Sequence, residues 1–117
     1  MRYSLAENPT VFGKILRGEI PCRKVYEDDH VLAFHDIAPK APVHVIVIIK
    51  HHLSSAQSAA EASASELGNF WQSVAKVVET LNVPGCRLIT NCGTEQEVPH
   101  LHVHLLADPN GKPLPGF

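Results

Sequence analysis

A β-strand turns every second side chain to the same face, and the run His100-Leu101-His102-Val103-His104-Leu105-Leu106 is written on that period. As a strand it sets three imidazoles in a row, neighbours roughly 6.5–7 Å apart. Leu101, Val103 and Leu105 are left to fill the opposite face, where a core belongs. Packing alone rarely lines one face of a strand with histidine. An imidazole with an ordinary pKa of about 6.5 can act as base, acid, nucleophile or metal ligand near neutral pH. The row is therefore a candidate reactive surface.

The rest of the chain supplies a sheet for that strand. Asn8-Pro9-Thr10 opens a short helix through Val11-Phe12-Gly13-Lys14-Ile15-Leu16-Arg17, which Gly18 ends. Cys22 to Glu27 reads as a strand, Asp28-Asp29 as a turn, and His30 to Phe34 as the returning strand. Pro39 and Pro42 keep the next loop out of any ladder. Val43-His44-Val45-Ile46-Val47-Ile48-Ile49 is β-branched and nearly all apolar, the pattern of a central strand covered on both faces. His44 interrupts it, as a core histidine or as company for the later row. The Ala- and Ser-rich stretch from Ser54 to Ser65 reads as a loop or a weak helix lead-in. Leu67, Phe70, Trp71, Val74, Val77, Val78 and Leu81 follow helical spacing until Asn82-Val83-Pro84-Gly85 stops them. That stripe is expected to be core, with a dimer face as the second reading for Phe70 and Trp71. Arg87 to Asn91 is a further strand, and Gly93 to Pro99 connects it to the histidine row. The sum is an α+β fold: an antiparallel sheet of about five strands, one main helix and a short N-terminal helix.

With 117 residues the chain suits a single domain, a motif-bearing core over about 8–106 and a turn-rich surface tail over 107–117. A net charge of −2 gives no general grip on nucleic acid. Cys22, Cys86 and Cys92 form no CxxC pair and no even framework, so reduced, half-buried thiols in a cytoplasmic protein are expected. The opening residues lack the apolar run of a secretory signal, and Val43 to Ile49 is too short to cross a bilayer. No membrane partner is expected. Lys14, Lys50 and His51-His52 read as a solvated rim.

The histidine row resembles the signature of the histidine triad family, which alternates three histidines with apolar residues. Val11-Phe12-Gly13-Lys14-Ile15-Leu16-Arg17-Gly18-Glu19-Ile20-Pro21 is similar to the entry helix of its nucleotide-binding (Hint) branch. Leu32 to Pro39 and Ala41-Pro42-Val43-His44 are similar to the branch's second block. The resemblance implies that family's fold, a homodimer whose sheets join, and no cofactor. It also implies binding of purine nucleoside monophosphates and hydrolysis of a phosphorus–nitrogen bond, as in adenosine 5′-monophosphoramidate, AMP-lysine or aminoacyl adenylates. By position, it places Phe12, Ile15, Ile20, Phe34 and Ile37 around the purine with Val11 at the edge. Asp36 and Asn91 fall on the ribose, and His102 is the nucleophile among His44, His100 and His104. The loop before the row departs from the family's Gly-Gln pattern and is shorter. Glu97 stands where a small hydroxyl is common beside the leaving group, and Pro99 removes one N–H.

The chemistry expected is attack by neutral His102 on the α-phosphorus, a nucleotidyl-histidine, then its hydrolysis. His104 is the candidate proton donor and can also hydrogen-bond a phosphate oxygen, and His100 and His44 are the groups that fix the tautomer of His102. Asp36 and Asn91 also read as a turn former and a loop cap, and the apolar residues as plain core. Three alternatives stand beside this one: a dinucleoside polyphosphate hydrolase, a nucleotide-binding protein without catalysis, and a metal-binding protein. For the last, His-x-His spacing suits two ligands better than three, and no metal site is expected.

Overall fold

The computed structural model describes residues 2–116. Its organising element is strand β3 (Val43–Ile49), which is hydrogen-bonded on both edges. The sheet runs β1 (Lys24–Glu27), β2 (Val31–His35), β3, β5 (His102–Ala107), β4 (Arg87–Ile89), with every neighbour antiparallel. A β-branched, almost wholly apolar strand is what a central position between two covered faces selects.

Register decides which residues share a face. Opposite His102 and His104 stand Ile48 and Ile46, and opposite Leu106 stands His44. Val45, Val47, Val103, Leu105 and Ala107 point the other way and are buried with Val31, Ala33 and Ile49 under helix α2 (Ala64–Leu81), through its Phe70, Val74 and Val77. Each such large aliphatic chain withdrawn from water contributes about 1.5–3 kcal/mol. The histidine face receives the short helix α1 (Val11–Leu16), whose Phe12 packs with Leu32, Phe34, Ile46 and Ile48. Six residues of helix cover only part of that face. The part holding His44, His104 and Leu106 is left as a cleft.

Both helices are capped by side-chain oxygens. Thr10 accepts from the Gly13 N–H at α1, and Ser63 from the Glu66 N–H at α2. The Ser-x-x-Glu pattern starts α2 ahead of Leu67, where the apolar stripe begins. Asn82 ends it in the left-handed region, φ 50°. Of the stripe's two aromatics only Phe70 is core, and Trp71 is 48% exposed. The β1–β2 hairpin is fixed by Asp28, which accepts from the His30 and Val31 N–H groups and from the Tyr26 and Ser73 hydroxyls. Ser73 lies on α2, so one carboxylate ties hairpin to helix.

The last strand begins later than the sequence pattern suggests. His100 and Leu101 stand before it: the Leu101 N–H donates to the Leu53 carbonyl, and the His100 N–H to that of Val98. Cys86 and Cys92 are exposed and only Cys22 is half-buried, which corrects the expectation that all three would be.

Candidate active site

His102 is 5% exposed and sits on β5 beneath α1, its ring 4.9 Å from that of Phe12 at 70°. Its Nδ1 lies 2.7 Å from the His100 carbonyl. A carbonyl can only accept, so Nδ1 carries the proton and Nε2 keeps its lone pair. The neighbouring backbone is pinned as well, since the Thr90 hydroxyl donates to the His102 carbonyl (2.9 Å).

His44 and His104 form a second, directional unit. The Lys40 N–H donates to His44 Nδ1 (3.0 Å), which makes His44 the Nε2–H tautomer. That Nε2–H faces His104 Nδ1 at 2.9 Å, so His104 carries its own proton on Nε2. Asp36 Oδ2 lies 3.4 Å from His44 Nε2, while Oδ1 accepts from the Ala38 N–H and closes the turn after β2. Asp36 therefore shapes the turn its position suggested and, beyond that reading, biases an imidazole. The rings of His102 and His104 are 5.0 Å apart at 74°.

His100 is placed differently from the expectation. Its ring is fully buried, bonded to Asn8 through Nδ1 (2.9 Å) and to the Ile49 carbonyl through Nε2 (2.6 Å). It reaches His102 through its backbone carbonyl rather than its ring. His44 likewise orders His104 and not His102. His52, expected at a solvated rim, is buried at 4% exposure and bridges the Tyr3 N–H and the Pro99 carbonyl.

Burial holds all four imidazoles toward the neutral form. It pushes His44, His102 and His104 below 6.5, and His100 down to about 4. The His100 carbonyl and the Glu97 carboxylate oppose this at His102, and Asp36 and Glu97 at His104, without reversing it. Cys22 and Cys86 are raised by burial, so neither is a ready thiolate.

A cleft of about 460 Å³ opens over this face, a size suited to a nucleotide-scale ligand. Phe12, Asp36, Asn91 and Glu97 line it together with His44, His102 and His104. Phe34 and Ile15 lie in the apolar cluster beneath α1 rather than on the cleft wall. Ile20 is half-buried away from it, and Val11 is 41% exposed. Ile37 is wholly exposed, so in the single chain it encloses nothing: the Asp36 turn carries it out of the sheet. Sequence reasoning missed Ile46 and Leu106 on the cleft wall, although register from His104 and His44 identifies both. It missed Asn8, which carries no periodic signal.

Asp36, His44 and His104 bring one ligand atom each within 4.8 Å of one another. The hydrogen-bond order already engages them: His44 Nε2 is a donor and His104 Nδ1 its acceptor. His52 and His100 have both ring nitrogens engaged too. As arranged, His44, His52 and His100 offer no free ring nitrogen to a metal.

A profile described as the HIT domain matches residues 17–111. An uncharacterised 13.2 kDa HIT-like protein of Azospirillum brasilense is 46% identical over 102 residues, covering 83% of this chain and 84% of that protein. A 14 kDa zinc-binding protein of Zea mays is 45% identical over 109 residues, covering 87% and 84%. Among solved structures, a HIT family hydrolase from Clostridium thermocellum superposes with TM-score 0.79 at 42% identity, covering 91% of this chain and 96% of that one. A histidine triad protein from Clostridium difficile gives 0.79 at 41%, covering 92% and 94%.

Proposed function

The chain belongs to the HIT domain family, and from that footing we propose that it is a hydrolase of purine nucleoside 5′-phosphoramidates that works through a nucleotidyl-histidine. The observation that carries the reading is the tautomer of His102. With its proton committed to the His100 carbonyl, the neutral ring has an unprotonated Nε2, and the cleft lies against it. In the first step Nε2 forms a bond to the α-phosphorus and the P–N bond breaks, its electron pair leaving on nitrogen. In the second, water displaces the imidazole and releases the nucleoside monophosphate.

Of the two parts its sequence position suggests, His104 takes the hydrogen bond to phosphate rather than the proton transfer. As neutral Nε2–H it donates a hydrogen bond to a phosphoryl oxygen, which stabilises charge in the transition state. Giving that proton away would leave an imidazolate. Gaining another on Nδ1 would set two donors face to face unless His44 reversed its own order against the Lys40 N–H. Protonation of the leaving amine from water at the open mouth of the cleft, beside exposed Glu97, is the simpler route. Asp36 and Asn91 line the cleft where a ribose's hydroxyls would find acceptors, and Phe12 offers an apolar contact for the base.

The cleft's acidic lining, Asp36, Glu95 and Glu97 against Lys40, also favours an amine leaving group over the polyphosphate of a dinucleoside substrate. The name of the maize relative raises zinc; within the cluster of Asp36, His44 and His104, both ring nitrogens of His44 are engaged, which argues against a metal at that cluster. A homodimer joined along the edge strand β4 completes the proposal, supported by exposed Leu88 on that edge. A cytoplasmic setting agrees with free cysteines and with the absence, among the described residues, of any helix long and apolar enough to cross a membrane.

The test compares turnover of adenosine 5′-phosphoramidate and diadenosine tetraphosphate by wild type and His102→Ala. Phosphoramidate is expected to be preferred, and the substitution to lower kcat by about 10³-fold or more while nucleotide binding survives. Turnover that persists in His102→Ala removes the nucleophile assignment. Preference for the tetraphosphate would favour the dinucleoside reading.

A further inference from the structure

We infer that Asn8 is a positioning residue for the nucleophile, holding His102 in its reactive tautomer by locking His100 as a neutral Nε2–H ring. The catalytic consequence rests on the function proposed above; the lock itself does not.

The Asn8 amide has a fixed direction. Asn8 is 2% exposed, and its Oδ1 accepts from both the N–H (3.0 Å) and the hydroxyl (2.8 Å) of Thr10. The oxygen is thereby fixed toward Thr10, and the NH₂ group is turned to His100 Nδ1 at 2.9 Å. An amide nitrogen only donates, so Nδ1 must accept. On the far side the Ile49 carbonyl only accepts, so Nε2 must donate, at 2.6 Å. Two one-way partners leave a single ring state that satisfies both. Protonation of Nδ1 would oppose two donors in a site with no solvent access.

The same residue then presents its carbonyl to His102 Nδ1 at 2.7 Å. Ring and carbonyl belong to one residue, so fixing the ring at both ends limits the rotation that would carry the carbonyl away. The neighbouring rings are consistent with the lock. His52, 5.3 Å from His100, is held between the Tyr3 N–H and the Pro99 carbonyl in the matching Nε2–H state, and Phe12 sets its edge against both His100 and His102. Asn8 itself is wedged. A Cβ on Gly13 would fall 2.5 Å from Asn8 Cγ, and Arg17 donates to the Asn8 carbonyl at 2.7 Å.

Asn8→Asp separates positioning from plain support. It keeps an oxygen for the two Thr10 donors, so the α1 cap survives, but it presents an acceptor where His100 now meets a donor. A carboxylate there favours a second proton on His100, at Nδ1. The readouts are two-bond ¹H–¹⁵N correlations of ¹⁵N-histidine-labelled full chain at neutral pH, with kcat and KM for adenosine 5′-phosphoramidate. Wild type is expected to show His100 protonated on Nε2 alone and His102 on Nδ1 alone. In Asn8→Asp, His100 is expected to become doubly protonated and kcat to fall about tenfold with KM nearly unchanged. Asn8→Ala, which buries no charge and leaves the Ile49 carbonyl still requiring a proton on Nε2, is expected to loosen the His100 ring and its carbonyl, leaving His102 a tautomer mixture with a similar loss in kcat, should the Asp variant fail to fold. Wild-type His100 carrying its proton on Nδ1 overturns the proposal. So does either folded variant in which His102 and kcat are unchanged. A wild type that hydrolyses no phosphoramidate would instead remove the proposed function, and the spectra would still decide whether Asn8 governs His102.

Discussion

At the scale of single residues, the site is a set of one-way hydrogen bonds. Backbone groups at Lys40, Ile49 and His100 can only donate or only accept, and each forces one imidazole nitrogen to the opposite role. His102, the proposed nucleophile, is thus oriented by geometry and held toward the neutral form by burial. Because burial lowers the proton affinity of His102 and His104, the acid limb of kcat/KM is expected below pH 6.5, the ordinary histidine value. Glu97 raises both affinities, so Glu97→Gln should move that limb lower still. A limb above 6.5, or one moved upward by Glu97→Gln, would contradict this electrostatic account. The residues of the row, their shared face and the company of His44 are legible in sequence, because a period of two survives any detail of packing. Which ring bonds which is not, since it depends on backbone groups from three other segments.

At the scale of elements, α1 matters more than its six residues suggest. It places Phe12 on His102 and closes one end of the histidine face. Its glycine at position 13 is there because Asn8 leaves no room for a methyl group. Gly13→Ala is expected to destabilise the fold by about 1–3 kcal/mol through that clash, measured by denaturant unfolding, and to slow turnover by disturbing Asn8. Stability equal to wild type would show that the contact yields freely. Strand β3 and the apolar stripe of α2 are readable because long periodic segments announce their partners. The start of α2 and of β5 are less so. Ser63 begins the helix through a cap, and Leu101 pairs with Leu53 outside the ladder, so neither boundary follows hydrophobic period. Ile37 shows the opposite failure: an apolar residue next to the site that a turn sends into solvent.

At the scale of the whole molecule, the imidazoles couple stability to pH. The folded protein binds fewer protons than the unfolded chain wherever a folded pKa lies below its unfolded value. For His100 that interval runs from 6.5 down to about 4, so its contribution is present above the interval and lost as pH falls through it. Complete titration corresponds to a loss of about 3 kcal/mol from this residue alone, with His44, His102 and His104 acting in the same direction. Asp28 acts at lower pH. Burial opposes its ionisation, but the Ser73, Tyr26, His30 and Val31 hydrogen bonds bring it down to about 2, so its support is lost below 3.8. Denaturant midpoints are therefore expected to fall steadily from neutral pH to about 4. A flat profile over that range would mean that the imidazoles take up protons in the folded protein as readily as in the unfolded chain.

The central claim is that His102 Nε2 becomes covalently bonded to the substrate's phosphorus. Rapid acid-free quenching during turnover of adenosine 5′-phosphoramidate, followed by proteolysis and mass spectrometry, tests it. The expected result is one adenylyl group on the peptide containing His102, absent from His102→Ala. An adduct on His44, His100 or His104, or turnover at full rate with no adduct at any quench time, would contradict the account.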